Sequence, residues 1–196
     1  MRIAIIKSNF TPYGGAEKYT LKLVEAFLKN DVAVDIITAT HSDWSSLGLK
    51  VRPIVLKQVR YNNLLRILTF HASVRKYFGK ELYDCILGME CTGYETHVRA
   101  GGGCHSAWIR RRCDESSWIR CLSFRTNPFH RAMIAAEKRA FNSNKLKRII
   151  CNSHLVKREI PHFYAQAKDK ITVVHNGVEW NDFSDVFETA VSNRSG

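Results

Sequence analysis

Two adjacent glycines, Gly14 and Gly15, stand between a short aliphatic run and a stretch with helical periodicity. Because glycine has no Cβ, the backbone there can take unusual dihedral angles and a bulky ligand can approach it closely. The free N–H groups and partial positive charge at the start of the following helix suit phosphate. A tight turn without any ligand would also explain the pair. The spacing matches neither the G-x-G-x-x-G dinucleotide motif nor the G-x-x-x-x-G-K-[ST] phosphate-binding loop.

A second glycine-rich stretch, residues 101–103, is followed closely by His105. An imidazole with an ordinary pKa exchanges a proton near neutral pH, so His105 is the candidate for proton transfer or for an acceptor contact. The alternative for a loop histidine is a hydrogen-bonded surface residue. The neighbouring histidines and cysteines match no zinc-ligand spacing, so we expect no metal site.

The chain carries a formal net charge of +12, and its basic residues are concentrated in one region. Residues 99–148 hold twelve Arg or Lys against three acidic residues, interleaved with aromatic side chains. Such a pattern suits nucleic acid, an anionic bilayer or a phosphorylated substrate, unless it is only a solvated basic face. No helix-turn-helix, RNA-binding or zinc-finger pattern occurs, so the sequence favours a membrane surface or an anionic substrate over nucleic acid.

The composition is that of one soluble globular domain, with 196 residues, 45% hydrophobic and 24% charged. The apolar run at the amino end is too short for a signal peptide, and no segment is long enough to span a membrane. Six cysteines form no C-x-x-C pair, so we expect reduced thiols of a cytosolic protein.

Strand-like and helix-like segments alternate along the chain. Helical patterns follow Gly15, occupy residues 64–78, begin at Asn127-Pro128, and follow Ser153 until Pro161 kinks or ends the last one. The alternation predicts an α/β fold: a Rossmann-like domain with a mainly parallel sheet flanked by helices. Ligands bind such sheets at the carboxyl ends of the strands. The predicted strands are residues 2–7, 32–39, 51–57, 84–89, 148–152 and 171–175.

Four stretches, in this order, resemble the amino-terminal half of family-4 glycosyltransferases, and most of all those of the bacterial lipopolysaccharide core. They are PYGGAEKYTLKLVEAF, RAGGGCHSAWIRRR, IICNSHLVKREI and ITVVHNGVEWNDF. The family consists of retaining enzymes with two facing Rossmann-like domains, the GT-B fold. The resemblance implies an acceptor-side domain over residues 1–183 and the start of a linker or tail at 184–196. The second domain, which binds most of the nucleotide-sugar, would be absent.

The resemblance also implies roles for the residues singled out above. Gly14 and Gly15 would face the diphosphate of a nucleotide-sugar donor, with a UDP-sugar favoured, and His105 would be catalytic. The donor is a substrate, so no cofactor and no metal are expected. The enzyme would transfer a sugar to a hydroxyl of a lipopolysaccharide or related glycan. The residues expected to bind this acceptor are Arg99, Gly101, Gly102, Gly103, Arg110 and Arg111.

One departure from the pattern leaves a second function open. Some relatives of the lipopolysaccharide-core type carry an aspartate where Gly102 stands, and residues 100–103 here contain no carboxylate. The alternative is a truncated, non-catalytic paralogue that binds glycan or membrane. The expected partners are the donor, a glycan or lipid-linked glycan, an anionic membrane surface and the missing carboxyl-terminal domain. The expected location is cytoplasmic and peripheral, on the inner face of the cytoplasmic membrane.

Overall fold

The structure, a computed structural model, describes residues 1–10, 14–40, 50–79 and 82–177. In these residues one parallel sheet has the strand order β3-β2-β1-β4-β5-β6-β7. The strands are β1 (Arg2–Ile6), β2 (Ala33–Thr38), β3 (Arg52–Val55), β4 (Cys85–Gly88), β5 (His97–Ala100), β6 (Arg148–Cys151) and β7 (Ile171–Val173). The helices are α1 (Gly15–Lys29), α2 (Asn63–Phe78), α3 (His105–Asp114), α4 (Trp118–Thr126), α5 (Pro128–Phe141) and α6 (His154–Phe163), with a 3-10 helix at Ala165–Lys170.

Alternate residues of the central strand β1 pack against helices on opposite faces of the sheet. Ile3 and Ile5 share a buried cluster with Val24 of α1. Ile6 shares another cluster with Phe70 of α2. Because both faces are covered, the central strands are apolar almost throughout, as parallel strands require. The predicted Rossmann-like α/β fold is confirmed.

The six predicted strands and four predicted helices all occur, with shifts of a few residues at their ends. Asn127 caps α5 by accepting from the Phe129 N–H at 2.9 Å, and Ser153 caps α6 in the same manner. Pro161 lies inside α6, which continues to Phe163, so the proline does not end the helix where it stands. The predicted domain end at residue 183 and the tail at 184–196 lie outside the described residues.

Four elements of the described residues were not predicted from the sequence: β5, α3, α4 and the 3-10 helix at Ala165–Lys170. Strand β5 has four residues, two of which are the polar His97 and Arg99, so it does not have the composition of a buried strand. Helix α3 contains three consecutive arginines, and α4 buries none of its residues. An apolar stripe that packs on the core is therefore weak in α3, and the apolar residues Trp118, Ile119 and Leu122 of α4 are exposed.

The expectation that all six cysteines are reduced is wrong for one pair. Cys113 at the end of α3 and Cys121 in α4 form a disulfide, with their Cα atoms 4.6 Å apart. The tight turn between the two helices brings together residues that no sequence spacing rule had paired. Cys85, Cys91, Cys104 and Cys151 are free thiols.

Candidate active site

The parallel strands end at one edge of the sheet, here called the carboxyl edge, and the predicted site residues follow them. Gly14 and Gly15 come after β1, and residues 101–103 come after β5. Asn176, which was not predicted as a site residue, comes after β7. The chain order reverses between β1 and β4, because later strands are added on the other side of β1. A reversal of this kind leaves a crevice at the carboxyl edge, where α/β sheets bind ligands.

The two glycines of the first turn have different surroundings. Gly14 is the N-cap of α1, and a Cβ on it would lie 1.8 Å from Oε2 of Glu17, which folds back over the helix start. Glu17 also pairs with Lys7, whose Nζ lies 3.1 Å from Oε1. At Gly15, no atom of the described residues lies within 4 Å of the Cβ position. Protein therefore fills the space beside Gly14, whereas no side chain of the described residues fills the space beside Gly15.

Arg99, at the end of β5, connects three of the sequence motifs. Its guanidinium carbon lies 3.8 Å from the ring centre of Tyr19, in the helix that follows the glycine pair. Its Nη2 atom donates to Oδ1 of Asn176 at 3.0 Å. Gly101 makes room for this arrangement, since a Cβ there would lie 2.4 Å from Nη1 of Arg99. A guanidinium group thus lies where helix α1, the glycine loop and the segment after β7 meet.

The remaining glycines of the loop also differ from each other. Gly102 faces space that is open with respect to the described residues. Gly103 has a φ of +86°, which favours glycine, and its Cβ position lies 3.0 Å from Oε2 of Glu159. Residues 101–103 contain no carboxylate of their own. Glu159 of α6 supplies one beside Gly103.

His105 is the first residue of α3 and faces a cluster of aromatic rings. Its Nε2 atom lies 2.9 Å from Nδ1 of His130, and its ring stacks on Trp108 with centres 5.3 Å apart. Burial, with a smaller contribution from His130, lowers the pKa of His105. Burial also lowers the pKa of His130. Both histidines are therefore neutral near pH 7, and a ring nitrogen of one donates a hydrogen bond to a ring nitrogen of the other. The described residues contain no cluster of three potential metal ligands.

A buried carboxylate from α5 fixes the start of α3. Glu137 accepts hydrogen bonds from the backbone N–H groups of His105 and Ser106, the latter at 3.3 Å. The hydroxyl of Tyr164 donates to Oε2 of Glu137 at 2.9 Å and lies 2.8 Å from the Ser106 hydroxyl. Burial raises the pKa of Glu137, although these hydrogen bonds oppose the shift. The amides at the start of α3 are thus already satisfied, and the loop that precedes His105 is held in place.

Two predicted acceptor residues lie apart from this group. Arg110 and Arg111 line a groove of about 360 Å³ between α3 and α6, and Arg111 pairs with Glu159. The structure thus brings Arg99, the glycine loop and His105 together at the carboxyl edge, and it places these two arginines along the side of α3.

Several residues of the site were missed by the sequence reasoning. His130 had a usable signal, because the Asn127-Pro128 helix start places it in the first turn of α5. Glu137 stood out only as one of three acidic residues in a basic stretch. For Tyr19, Tyr164 and Asn176 no local pattern indicated a role, because their contacts join distant parts of the chain.

Comparisons with known proteins agree with the fold. The solved structure of WaaG, a glycosyltransferase involved in lipopolysaccharide biosynthesis, matches with a TM-score of 0.73 at 14% identity, covering 90% of this chain and 45% of that one. UGT2 from Phytolacca americana, solved with UDP-2-fluoro-glucose and pterostilbene, matches with a TM-score of 0.54 at 11% identity, covering 90% and 52%. The chain thus spans about half the length of these structures. No curated protein matches its sequence. The family model for Glycosyltransferase Family 4 matches residues 13–181, and the chain belongs to that family.

Proposed function

We propose that the chain is the acceptor-side domain of a retaining sugar transferase whose donor is a nucleotide-sugar, with a UDP-sugar favoured. The observation that carries the proposal is the meeting of three motifs at Arg99 on the carboxyl edge. Family membership supports the transferase class. The UDP-sugar in the Phytolacca enzyme supports the donor, and the likeness to WaaG supports a lipopolysaccharide or related glycan as acceptor.

The residues of the carboxyl edge then take the following roles. The donor diphosphate lies against Gly15, where the helix start offers backbone N–H groups. Arg99 stabilises the negative charge of the departing diphosphate or of an anionic acceptor. His105, which is neutral, accepts the proton of the acceptor hydroxyl. Arg110 and Arg111 contact anionic groups farther along the acceptor.

His105→Ala tests this function in the longer polypeptide that joins this domain to a nucleotide-binding one. We expect turnover to fall at least about 100-fold, because a positioned proton acceptor contributes that much or more. The thermal midpoint should change by only a few degrees. Release of UDP and NMR of the anomeric proton of the product report rate and stereochemistry. Gln166→Ala, at an exposed residue of the 3-10 helix, is the control.

Two outcomes would contradict the transferase proposal. Turnover that is equal in His105→Ala and the parent would remove His105 from the reaction. If no nucleotide-sugar supports transfer, the alternative is a non-catalytic glycan- or membrane-binding module, which the lack of a carboxylate in residues 100–103 favours.

The second part of the proposal is peripheral binding to the inner face of the cytoplasmic membrane. On α4, Trp118, Ile119 and Leu122 are 76%, 62% and 53% exposed, and they recur at helical spacing. Arg120 and Arg125 lie on the same short helix. Tryptophan favours the bilayer interface and arginine favours anionic headgroups. In the described residues no helix has the length and apolar character that crossing a bilayer would need.

Vesicle sedimentation tests this surface. We expect the chain to bind vesicles with anionic lipid, to bind neutral vesicles weakly, and to dissociate as salt screens the charges. The double variant Trp118→Ser/Ile119→Ser should reduce binding about tenfold or more, because two large apolar side chains no longer insert. Leu82→Ser, at a residue that is 91% exposed elsewhere, should have no effect. Equal, salt-insensitive binding to neutral vesicles would contradict the proposal.

A further inference from the structure

A separate cavity of about 180 Å³ lies at the carboxyl edge, between α2 and α5. It opens above the ends of three strands: Ser8 follows β1, Gln58 follows β3, and Glu90 follows β4. None of these residues belongs to the site described above. The apolar part of its wall includes Ile67, Phe70, Phe129 and Met133.

The polar groups of the cavity are suited to a hydroxylated ligand. Gln58 donates through Nε2 to the Arg66 carbonyl at 3.2 Å, but its Oε1 atom is buried and has no hydrogen-bond partner among the described residues. A buried acceptor of this kind is costly unless a ligand or water donates to it. His71 also lines the cavity, and its ring makes no hydrogen bond within the described part of the chain.

Burial in the cavity wall disfavours the charged forms of two side chains, His71 and Glu90. Burial, helped by Arg139, lowers the pKa of His71 to about 4, so this ring is neutral near pH 7. Burial raises the pKa of Glu90, whose carboxyl group accepts from the backbone N–H and the hydroxyl of Ser8. An uncharged ligand with several hydroxyl groups therefore fits these surroundings better than an ion.

The size and position of the cavity limit which ligands it can bind. Pockets for drug-sized ligands measure roughly 300–1000 Å³, so a cavity of about 180 Å³ takes one ring rather than an oligosaccharide. Phe129 belongs both to the cavity wall and to the aromatic cluster of His105, with ring centres 6.4 Å apart. A ring in the cavity would thus lie one side chain away from the candidate catalytic histidine.

We propose that this cavity binds one neutral sugar ring of the acceptor, with Gln58 Oε1 and His71 hydrogen-bonding its hydroxyl groups and Phe70 and Phe129 covering its apolar face. The proposal rests on the proposed transferase function and assigns the acceptor residue that neighbours the reacting one. Arg66 lies at the same cavity, so a phosphorylated sugar is the competing ligand that the test must separate.

Saturation-transfer NMR of the chain with methyl glycosides of common hexoses tests the assignment. We expect at least one glycoside to bind. Gln58→Leu should lower the affinity for this glycoside about fivefold, because a buried hydrogen-bond acceptor is lost. Ile67→Trp, which fills the cavity, should abolish binding. Gln166→Leu, at an exposed glutamine in the 3-10 helix, should leave binding unchanged, and circular dichroism checks the fold of each variant.

Three outcomes would overturn the assignment. They are an absence of binding by every glycoside, binding that is equal in the parent and Ile67→Trp, and a strong preference for glucose 6-phosphate over methyl glucoside. The transferase proposal is separable from this one. If the longer enzyme transfers sugar normally with Ile67→Trp, the cavity is not the acceptor site although the function stands.

Discussion

Replacing Glu137 with Ala is expected to lower the free energy of unfolding by about 3 kcal/mol, because several buried donors lose their acceptor together. The carboxylate of Glu137 accepts from the backbone N–H groups of His105 and Ser106 and from the Tyr164 hydroxyl. Alanine leaves the two amides without this acceptor, and among the described residues the Tyr164 hydroxyl keeps only the Ser106 hydroxyl as a partner. Chemical denaturation followed by circular dichroism measures the loss. Glu115→Ala, at an exposed glutamate after α3, should change stability by less than about 0.5 kcal/mol.

The pH dependence of the same residue gives a second check. Because burial raises the pKa of Glu137 in the folded state, ionisation of this group opposes folding. The contribution of Glu137 to the free energy of unfolding is complete below its ordinary pKa of 4.5. This contribution is lost as the pH rises through the raised pKa of the folded state. The stability advantage of the parent over Glu137→Gln should therefore shrink as the pH rises above about 4.5. An advantage that is constant or grows with pH would contradict the burial of this carboxyl group.

The central strands were predictable because buried parallel strands consist of consecutive aliphatic residues, which the sequence shows directly. The residues of β1 and β2 are buried on both faces, so their aliphatic runs indicate strands without knowledge of any neighbour. In α4, by contrast, no residue is buried, so its apolar residues have no periodic relation to a core. Helix α4 is joined to α3 and α5 by the disulfide between Cys113 and Cys121 and by the ring of Phe124 against Trp108 and His130, and the spacing indicated none of these contacts.

The site was predictable by residue type and not by contact. Side-chain chemistry alone selected His105 as a proton acceptor. Its neutral partner His130 and the carboxylate of Glu137 follow it by 25 and 32 residues, so only the fold brings them together. The glycine pair shows the same limit. Sequence treated Gly14 and Gly15 alike, whereas the return of Glu17 fills the space beside Gly14.

The 196-residue chain without a second domain is expected to bind the nucleotide-sugar donor weakly. In a GT-B enzyme the donor lies between two domains, and this chain spans about half of the structures it resembles. Within this chain the proposed contacts of the donor diphosphate are the backbone N–H groups at Gly15 and the guanidinium group of Arg99. We therefore expect the donor to bind far more weakly here than in a two-domain enzyme, and transfer to be absent.

Calorimetric titration of the 196-residue chain with a UDP-sugar, with released UDP assayed in the same samples, tests most directly whether the chain is one half of a two-domain transferase. A parallel titration with a lipopolysaccharide core oligosaccharide measures the acceptor. The expected result is a dissociation constant for the UDP-sugar of about 1 mM or weaker, no release of UDP, and detectable binding of the oligosaccharide. Tight binding of the UDP-sugar or steady release of UDP would show that the donor site is complete within this chain, which contradicts the two-domain proposal.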